Sequence, residues 1–591
     1  MEGIEARTLV DLLEQAAGRY GDQPAVSQRR DDGSVERWSY RELDRRSRIA
    51  AWRLRALGLE PGDRILTWAP STPALPAAYF GAMRARLLLV PLDLRMAPEA
   101  IERVVAKSGP KRLILGTGRE APDPRVAGLD HFPTTAVETL SAEPDGSFPA
   151  DWEEQVSAWP RPEPAEVFDL IFTSGTTGRP KGVMLAHDNL LASIETFHRI
   201  IPPMRHRIVS LLPLSHLFEQ SVGLFYALSV GADILYVRSL NPRVIFESFR
   251  GHRVTSMIVV PQGLDLFWSA IEREVDRQGR RAAFERLRRI ARHLPMPLRR
   301  RLFGSVHRPL GGELRLFVSA GAFLPPALQQ GWEDLGVIVL QGYGATETGT
   351  GACTTLQDHG LGTVGRPPEG VSMKIADDGE ILFRGPTLFK GYWDDPEATA
   401  TAFDTEGWYH SGDLGRLDEA GRLVLHGRKK DMIALPNGFN VYPEDLENAL
   451  RIAGIRESVA IETRPGRIEA VVLAPGSHGL PGSASASGEG VAGQDPAVLG
   501  ARIEAAVRAA NGTLGPNQRI QGWRLWPDDD FPRTHTLKVK RDIVRSWASV
   551  ADPAISAGPR SAGRAADPAG VEPAVAPPAA EPAGSAPAGE S

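Results

Sequence analysis

The sequence predicts an α/β protein: a large N-terminal domain of layered α/β sheets with a β-rich subdomain, followed by a small α/β C-terminal domain. Short apolar runs typical of strands, such as Arg64–Trp68 and Arg112–Leu115, alternate with helical patterns, which favours largely parallel sheets. After about residue 350, glycine-bounded runs such as 379–385 and 421–427 are typical of antiparallel strands. The 591 residues also exceed what one hydrophobic core serves.

Changes in residue composition and in the predicted elements divide the chain into two domains, an insert and a tail. We expect an N-terminal domain over 1–427 and a mobile C-terminal domain over 428–550, with a hinge near 428–431. Within the second domain, 475–496 is rich in Gly, Ser and Ala and predicts a flexible insert. The tail 551–591 is dominated by Ala, Pro and Gly, a composition that cannot bury a core, so we expect disorder there.

Composition excludes several classes of function. A net charge of -5 argues against a chain built to coat nucleic acid. The single cysteine, Cys353, excludes an internal disulfide, and no base lies near it in the sequence. The most apolar stretch, 221–237, contains Asp233 and is shorter than the ~20 residues that span a bilayer, so we interpret it as a buried helix followed by a strand. The N-terminus lacks the apolar run of a signal peptide, and we expect a cytoplasmic protein.

One segment, 277–301, is strongly basic. Phe284, Leu287, Ala291 and Leu294 would share one face of a helix there, with arginines around the rest. Such a helix is either a solvated element packed on its domain or a peripheral contact with the anionic inner surface of a membrane.

A loop rich in Ser, Thr and Gly, Thr173-Ser-Gly-Thr-Thr-Gly-Arg-Pro-Lys-Gly-Val183, follows a predicted strand and precedes a helix with Asp188 near its start. Glycines let main-chain N–H groups approach phosphate oxygens, hydroxyls add donors, and Lys181 adds a positive charge. It is not a Walker A loop, because Pro180 and Gly182 flank the lysine. The predicted phosphate-binding residues are Thr173, Ser174, Gly175, Thr176, Thr177, Gly178 and Lys181.

Six further motifs follow in a fixed order. They are Leu212-Pro-Leu-Ser-His-Leu-Phe-Glu, Ser319-Ala-Gly-Ala-Phe-Leu-Pro, Gln341-Gly-Tyr-Gly-Ala-Thr-Glu-Thr, Tyr409-His-Ser-Gly-Asp-Leu-Gly, Gly427-Arg-Lys-Lys-Asp and Phe531-Pro-Arg-Thr-His-Thr-Leu-Lys. From about Leu9 to Trp547 the chain resembles the superfamily of AMP-forming acyl-CoA synthetases, peptide adenylation domains and beetle luciferases. The His-x-Phe-Glu form and Leu537 before Lys538 resemble long-chain fatty-acid–CoA ligases in particular.

The resemblance assigns nucleotide-binding roles. Tyr343 would stack on adenine against the small-residue loop of Gly321, and Thr346 would contact the α-phosphate. Glu347 would hold Mg²⁺, with Thr173 as a further metal contact; magnesium prefers one or two carboxylates together with phosphate and water. The motif that begins at Gln341 and contains Tyr343 also adds Gln341 and Gly342 to the nucleotide-binding set.

The resemblance also assigns residues near and beyond the domain boundary. Asp413 would accept hydrogen bonds from the ribose hydroxyls, Arg428 would contact the nucleotide, and Lys430 would be the hinge residue. Gly438 would contact the pantetheine arm of coenzyme A, and Lys538 would be the catalytic lysine.

The block that begins at Leu212 would line the acyl site. His216 and Phe218 would contact the acyl group and its carboxylate, although His216 taken alone better fits a structural core histidine. Some amino-acid-activating relatives have an aspartate at the position of Glu219, but the surrounding form does not favour an amine sensor. Near residue 360, Gly-Leu-Gly-Thr-Val-Gly matches a dinucleotide fingerprint, yet the prolines that follow do not suit the required helix.

The implied reaction joins two anions, a carboxylate and ATP, so cations near the α-phosphate are required. We expect a long-chain fatty acid to be activated to an acyl-adenylate with ATP and Mg²⁺ and then transferred to coenzyme A. Two alternatives stay open: loading of a carrier protein, and a catalytically inactive nucleotide-binding homologue. Acids other than fatty acids, including aryl acids, also stay open.

Overall fold

The computed structural model describes residues 5–30, 32–118, 121–174, 180–239, 241–436, 439–474, 496–534 and 539–550. The predicted insert and tail therefore lie outside the described residues, except for the last position of the insert. The fold class is confirmed: sheets and helices alternate through the first 350 residues, and antiparallel strands follow.

The first sheet, called sheet A, has six strands, and all its pairings are parallel except the last. In spatial order the strands are Thr134–Ala136, Arg112–Leu115, Arg64–Trp68, Leu88–Pro91, Val167–Ser174 and Pro180–Ala186. The last two form an antiparallel hairpin, which puts a strand between the predicted phosphate loop and its helix. The sequence reading missed that strand.

The second sheet, called sheet B, has eight strands and is parallel apart from its two edge pairings. In spatial order the strands are Ala352–Cys353, Ile338–Tyr343, Leu316–Ser319, Ser256–Val259, Arg207–Ser210, Asp233–Tyr236, Pro24–Arg29 and Val35–Ser39. Parallel strands are buried on both faces, which explains their near-continuous apolar runs.

Helices cover and separate these two sheets. They are Leu9–Tyr20, Tyr40–Ala56, Ala74–Arg84, Pro98–Ser108, Val137–Leu140, Trp152–Ala158, His187–Ile200, Glu219–Tyr226, Ala227–Ser229, Pro242–His252, Pro261–Arg277, Arg281–Ala291, Met296–Leu302, Gly304–His307, Pro326–Asp334 and Pro396–Ala402. The helix Glu219–Tyr226 is a π-helix, and the strand Asp233–Tyr236 follows it closely. A buried helix followed by a core strand is therefore confirmed for 221–237.

A third sheet, called sheet C, has four antiparallel strands, as the glycine-bounded runs predict. They are Ser372–Ile375, Glu380–Arg384, Tyr409–Leu417 and Leu423–Arg428. The last strand leads directly into a short 3-10 helix, Lys429–Asp431, at the predicted hinge.

The C-terminal part, residues 429–550, has its own apolar core. It contains the strand pair Ile433–Ala434 and Asn440–Val441, the three-stranded sheet Ser458–Arg464, Arg467–Val472 and Gly522–Leu525, and the helices Pro443–Ile452, Pro496–Asn511 and Arg541–Val550. A domain boundary at 427/428 stays a prediction.

The basic segment differs from its prediction. It forms two helices, Arg281–Ala291 and Met296–Leu302, rather than one continuous element. Phe284 and Ala291 are buried as expected, but Leu287 is exposed. Across the described ranges, the structure has no helix that is both long and apolar enough to cross a membrane.

Candidate active site

A cavity of about 2540 Å³ is lined by residues from sheets A, B and C and from the C-terminal part. It contains most of the residues that the sequence predicts for the nucleotide and the acid. The carboxyl ends of parallel strands are where α/β sheets bind ligands, because the loops there are free to carry polar groups.

The hairpin of sheet A brings the phosphate-binding lysine to the cavity. Thr173 and Lys181 are direct partners across the two strands, and both line the cavity. The main chain of Ser174 continues the first strand. Gly175, Thr176, Thr177 and Gly178 lie outside the described residues, so their predicted contacts remain predictions.

Glu347 stands opposite this hairpin and also lines the cavity. Its carboxylate accepts a hydrogen bond from the Tyr392 hydroxyl at 3.2 Å. Burial raises the pKa of Glu347, while the Tyr392 hydrogen bond and the positive charges of Arg428 and Lys181 oppose that shift. A half-buried carboxylate with a raised pKa gains from a cation placed beside it.

The carboxylate of Glu347 and the hydroxyl of Thr173 fit a magnesium ion that is held together with a nucleotide. Within the described ranges there is no group of three or more His, Cys, Asp or Glu side chains that could hold a metal alone. Magnesium in nucleotide sites commonly takes one or two carboxylates and completes its shell with phosphate oxygens and water. Glu347 and Thr173, which both line the cavity, are donors of that type.

Three predicted nucleotide residues form one hydrogen-bonded chain. The Tyr343 hydroxyl donates to Asp413 at 2.5 Å, and Arg428 Nε lies 2.8 Å from the other Asp413 oxygen. Burial and the Asp413 charge raise the pKa of Tyr343 well above its usual range, so the phenol remains a donor. Each carboxylate oxygen has two acceptor sites, which leaves Asp413 able to accept ribose hydroxyls as well.

The remaining nucleotide residues line the same cavity. Gly321 has a φ of +86°, a left-handed conformation that favours glycine, in the loop after the strand Leu316–Ser319. Gly342 and Thr346 also line the cavity. Gln341 touches it too, but its carboxamide donates to Gln329 at 2.7 Å and so is already bonded within the core.

His216 lies at the cavity wall with a defined partner. Its Nε2 is 2.7 Å from Asp93, a carboxylate that follows the strand Leu88–Pro91. Burial raises the pKa of Asp93, but hydrogen bonds from His216 and Arg95 outweigh that effect and hold the pKa of this carboxyl well below its usual range. The Asp93 carboxylate therefore fixes the imidazole at the cavity wall, and contact of His216 with the acid stays a prediction.

Beyond His216 the cavity wall becomes apolar. The apolar side chains at this wall are Leu190, Phe197, Ile200, Ile201, Leu212, Leu217 and Phe218. Glu219 is not at this wall: it is 1% exposed, and its carboxyl accepts the Ser210 hydroxyl at 2.5 Å. Burial raises the pKa of Glu219 to about 7, so it does not present a fixed charge to an amine.

The C-terminal part also reaches the cavity. Lys430 is exposed at its edge, and Thr534, Val539 and Lys540 line it. Lys538 and Gly438 lie outside the described residues, so their predicted roles remain predictions. The described residues on both sides of Lys538 nevertheless face the same cavity.

Two sequence features have structural roles instead. Cys353 is buried beside the glycine-rich segment near residue 360, and burial raises the pKa of its thiol to about 12, which does not suit a nucleophile. That segment is followed by no helix, in agreement with the rejection of a dinucleotide site. Gly365 packs so closely on the Cys353 carbonyl that no side chain fits there.

Comparisons with known proteins agree with this geometry. A family model described as "AMP-binding enzyme" matches residues 13–393. The chain belongs to this family. The predicted resemblance to AMP-forming acyl-CoA synthetases is thereby confirmed, and the predicted nucleotide-binding residues from Thr173 to Glu347 fall within the matched range, whereas Asp413 and Arg428 lie beyond it.

Several AMP-binding relatives have described activities. The chain is 28% identical over 564 residues to the long-chain-fatty-acid–CoA ligase FadD15 of Mycobacterium bovis, which covers 88% of this chain and 92% of that protein. A Mycobacterium tuberculosis CoA ligase named for a 7a-methyl-1,5-dioxo-octahydroindenyl propanoyl group is 30% identical and covers 73% of this chain and 83% of that protein. The ATP-bound structure of MatB from Rhodopseudomonas palustris has the same fold, with a TM-score of 0.70 at 23% identity, covering 92% and 99% of the two chains.

The sequence reading missed two residues of the site. Asp93 could have been suspected, because it is an acidic residue directly after a strand of a parallel sheet. Tyr392 follows a glycine in an irregular segment, and no local pattern distinguishes it from a core tyrosine.

Proposed function

We propose that this protein activates a long-chain fatty acid as its adenylate and transfers the acyl group to coenzyme A. The observation that carries the proposal is the single cavity in which the Lys181 hairpin, Glu347 and the Tyr343–Asp413–Arg428 chain lie beside His216 and an apolar wall. A nucleotide and an apolar carboxylic acid can meet only where both kinds of surface are joined. The names of the relatives support the choice of acid and acceptor.

In the first step, a carboxylate oxygen of the acid attacks the α-phosphorus of ATP. The bond from that phosphorus to the bridging oxygen breaks, and pyrophosphate leaves. Lys181, Arg428 and the proposed Lys538 place positive charge around the phosphates, and Mg²⁺ at Glu347 would neutralise further negative charge. Asp413 and Tyr343 hold the nucleoside, while His216, oriented by Asp93, faces the carboxylate end of the acid.

In the second step, the thiolate of coenzyme A attacks the acyl carbon and AMP leaves. We propose that the C-terminal domain turns about Lys430 between the steps, removing Lys538 and bringing in Gly438. One cavity then performs two reactions because a moving element changes which groups face it.

The test is AMP release by the purified chain with ATP, Mg²⁺ and coenzyme A over acids from acetate to palmitate, with benzoate included. Each buried methylene contributes roughly 0.8 kcal/mol, so activity should rise steeply with chain length until the pocket is filled. A preference for short or aryl acids would contradict the choice of acid, and release of AMP only with a carrier protein would favour the alternative acceptor. Absence of AMP and pyrophosphate with every acid would contradict the whole proposal.

We also propose that the basic helices contact an anionic membrane surface, which would bring the enzyme to its lipid substrate. Four apolar side chains on or near these helices are exposed: Leu287, Ile290, Leu298 and Leu302. Arg286, Arg289 and Arg301 are exposed among them, and no carboxylate in the described ranges forms an ion pair with these three. Charge beside exposed apolar side chains complements anionic lipid.

Sedimentation with phosphatidylglycerol vesicles tests this contact. The chain should bind these vesicles more than phosphatidylcholine vesicles, and less as salt rises. Arg289→Glu together with Ile290→Asp should remove binding, whereas the exposed Arg464→Glu in the C-terminal part should not. Equal vesicle binding by the double variant and the Arg464→Glu control would contradict the assignment of the contact to the basic helices.

A further inference from the structure

The segment 389–393 joins the two charged sides of the nucleotide site. Its main chain runs beside the strand that carries Lys181: Met184 N donates to Gly391 O at 3.0 Å, and Trp393 N donates to Gly182 O at 2.7 Å. At its other end, Phe389 N donates to the main-chain oxygen of Glu347 at 2.9 Å. The segment therefore connects the phosphate hairpin to the turn that carries the proposed metal ligand.

The side chain of Tyr392 makes a second link between the phosphate hairpin and Glu347. Its hydroxyl donates to Glu347 Oε1 at 3.2 Å, while Lys181 Nζ lies 4.5 Å from the centre of its ring. The Tyr392 main-chain N–H donates to Thr399 Oγ1 at 2.8 Å, and its ring packs edge-on against Phe389 at 4.8 Å. One fixed aromatic ring thus touches a cation with its face and a carboxylate with its hydroxyl.

We infer that Tyr392 is a positioning residue that sets the separation between the Lys181 ammonium and the Glu347 carboxylate, so that both face the magnesium-bound phosphates of ATP. The inference rests on the proposed function. A tyrosine needed only for packing would not require two side-chain contacts of opposite charge. The hydroxyl holds the carboxylate in one rotamer, and the ring provides a weaker cation–π site from which Lys181 can reach a phosphate.

The two contacts can be separated by two substitutions. Tyr392→Phe removes only the hydroxyl, and Tyr392→Leu removes the ring as well. The probe is α,β-methylene-ATP, which cannot be split at the α-phosphate, titrated calorimetrically into the full chain with and without Mg²⁺. Binding is thereby measured apart from turnover.

We expect Tyr392→Phe to reduce the affinity gained from Mg²⁺ by about tenfold, because a hydrogen bond to a charged group is lost. Binding without the metal, and binding of AMP, should stay within about twofold, a change below that expected for a lost neutral hydrogen bond. Tyr392→Leu should in addition weaken metal-free binding by about threefold through Lys181.

Double variants test the assignment of each contact. In a Glu347→Ala background, Tyr392→Phe should produce no further loss of the Mg²⁺ gain. In a Lys181→Met background, Tyr392→Leu and Tyr392→Phe should bind the metal-free probe equally. Persistence of either loss in these backgrounds would overturn the corresponding contact.

Tyr20→Phe is the matched control, because it also removes a half-buried hydroxyl donor, here to Ser229 O at 3.2 Å, and neither residue lines the cavity. It should leave all three titrations unchanged. If Tyr392→Phe lowers the unfolding temperature and weakens the probe and AMP equally, the role of Tyr392 is structural and the inference fails. If the unsubstituted chain itself gains no affinity from Mg²⁺, the proposed function fails instead.

Discussion

The two parts of the chain that line the cavity are held in place differently. In the N-terminal part, the charged residues of the site lie in strands or shortly after them, and several are fixed by hydrogen bonds within the cavity wall, as in Tyr343–Asp413 and His216–Asp93. The C-terminal part contacts the helix Pro261–Arg277 through exposed Arg456, which donates to Ser269 at 2.8 Å and lies 3.5 Å from Glu272. Exposed pairs contribute little free energy, so this contact can be exchanged for another at small cost.

This difference suggests a division of labour. We propose that groups positioned by buried sheets bind the nucleotide and the acid, while Lys538 and Gly438, which would distinguish the two half-reactions, belong to the C-terminal part. Four substitutions test this comparison, in order of decreasing effect.

Lys538→Ala should have the largest effect. Loss of a positive charge beside the reacting phosphate should slow adenylate formation by about 10²- to 10³-fold. Conversion of pre-made acyl-adenylate and coenzyme A should remain, because the lysine is absent from that step. Equal loss of both half-reactions in a folded variant would remove the distinction between the two parts.

Asp413→Asn should weaken binding of the nucleotide in both half-reactions, as ATP in the first and as the acyl-adenylate in the second. It removes the charged acceptor shared by Tyr343 and Arg428, and we expect the KM for ATP to rise by about 10- to 100-fold. Asp418→Asn, a neighbour whose side chain pairs with Arg422, is the matched control. A change confined to the thioester step would contradict a purely nucleotide-binding role.

Lys430→Pro should affect only the proposed rotation of the C-terminal domain. Proline fixes φ at the proposed hinge, so the thioester step should slow more than adenylation. The measurement compares pyrophosphate exchange with the consumption of pre-made adenylate. Equal slowing of the two would argue against rotation at this residue.

Arg456→Ala should have the smallest effect. If the contact of Arg456 with Ser269 and Glu272 holds the C-terminal part against the helix Pro261–Arg277, loss of this contact should change the ratio of the two half-reaction rates by up to about fivefold. The change should shrink at high salt, where exposed ion pairs are screened. Arg464→Ala, also exposed in the C-terminal part, should leave the ratio unchanged at every salt concentration.

Much of the site could be predicted because its residues lie in short motifs at the ends of strands or within them. The Ser/Thr/Gly loop with Lys181, and the segments carrying Tyr343, Glu347 and Asp413, combine small residues with polar groups in a way that is typical of ligand-binding segments. Local periodicity likewise fixed the strands, since Arg64–Trp68 and Arg112–Leu115 have the predicted bounds. What local sequence determined was the kind of chemistry and the order of the elements.

The tertiary structure alone decided which distant groups meet. The pairing of His216 with Asp93 joins residues 123 positions apart, and Tyr392 reaches both Lys181 and Glu347 only because segment 389–393 lies against another strand. The exposure of Leu287 also depends on neighbours that periodicity does not record, whereas the break between the basic helices follows from Pro295 and Pro297 in the local sequence. Spacing along a chain limits local geometry, whereas contacts between elements depend on how their buried faces pack together.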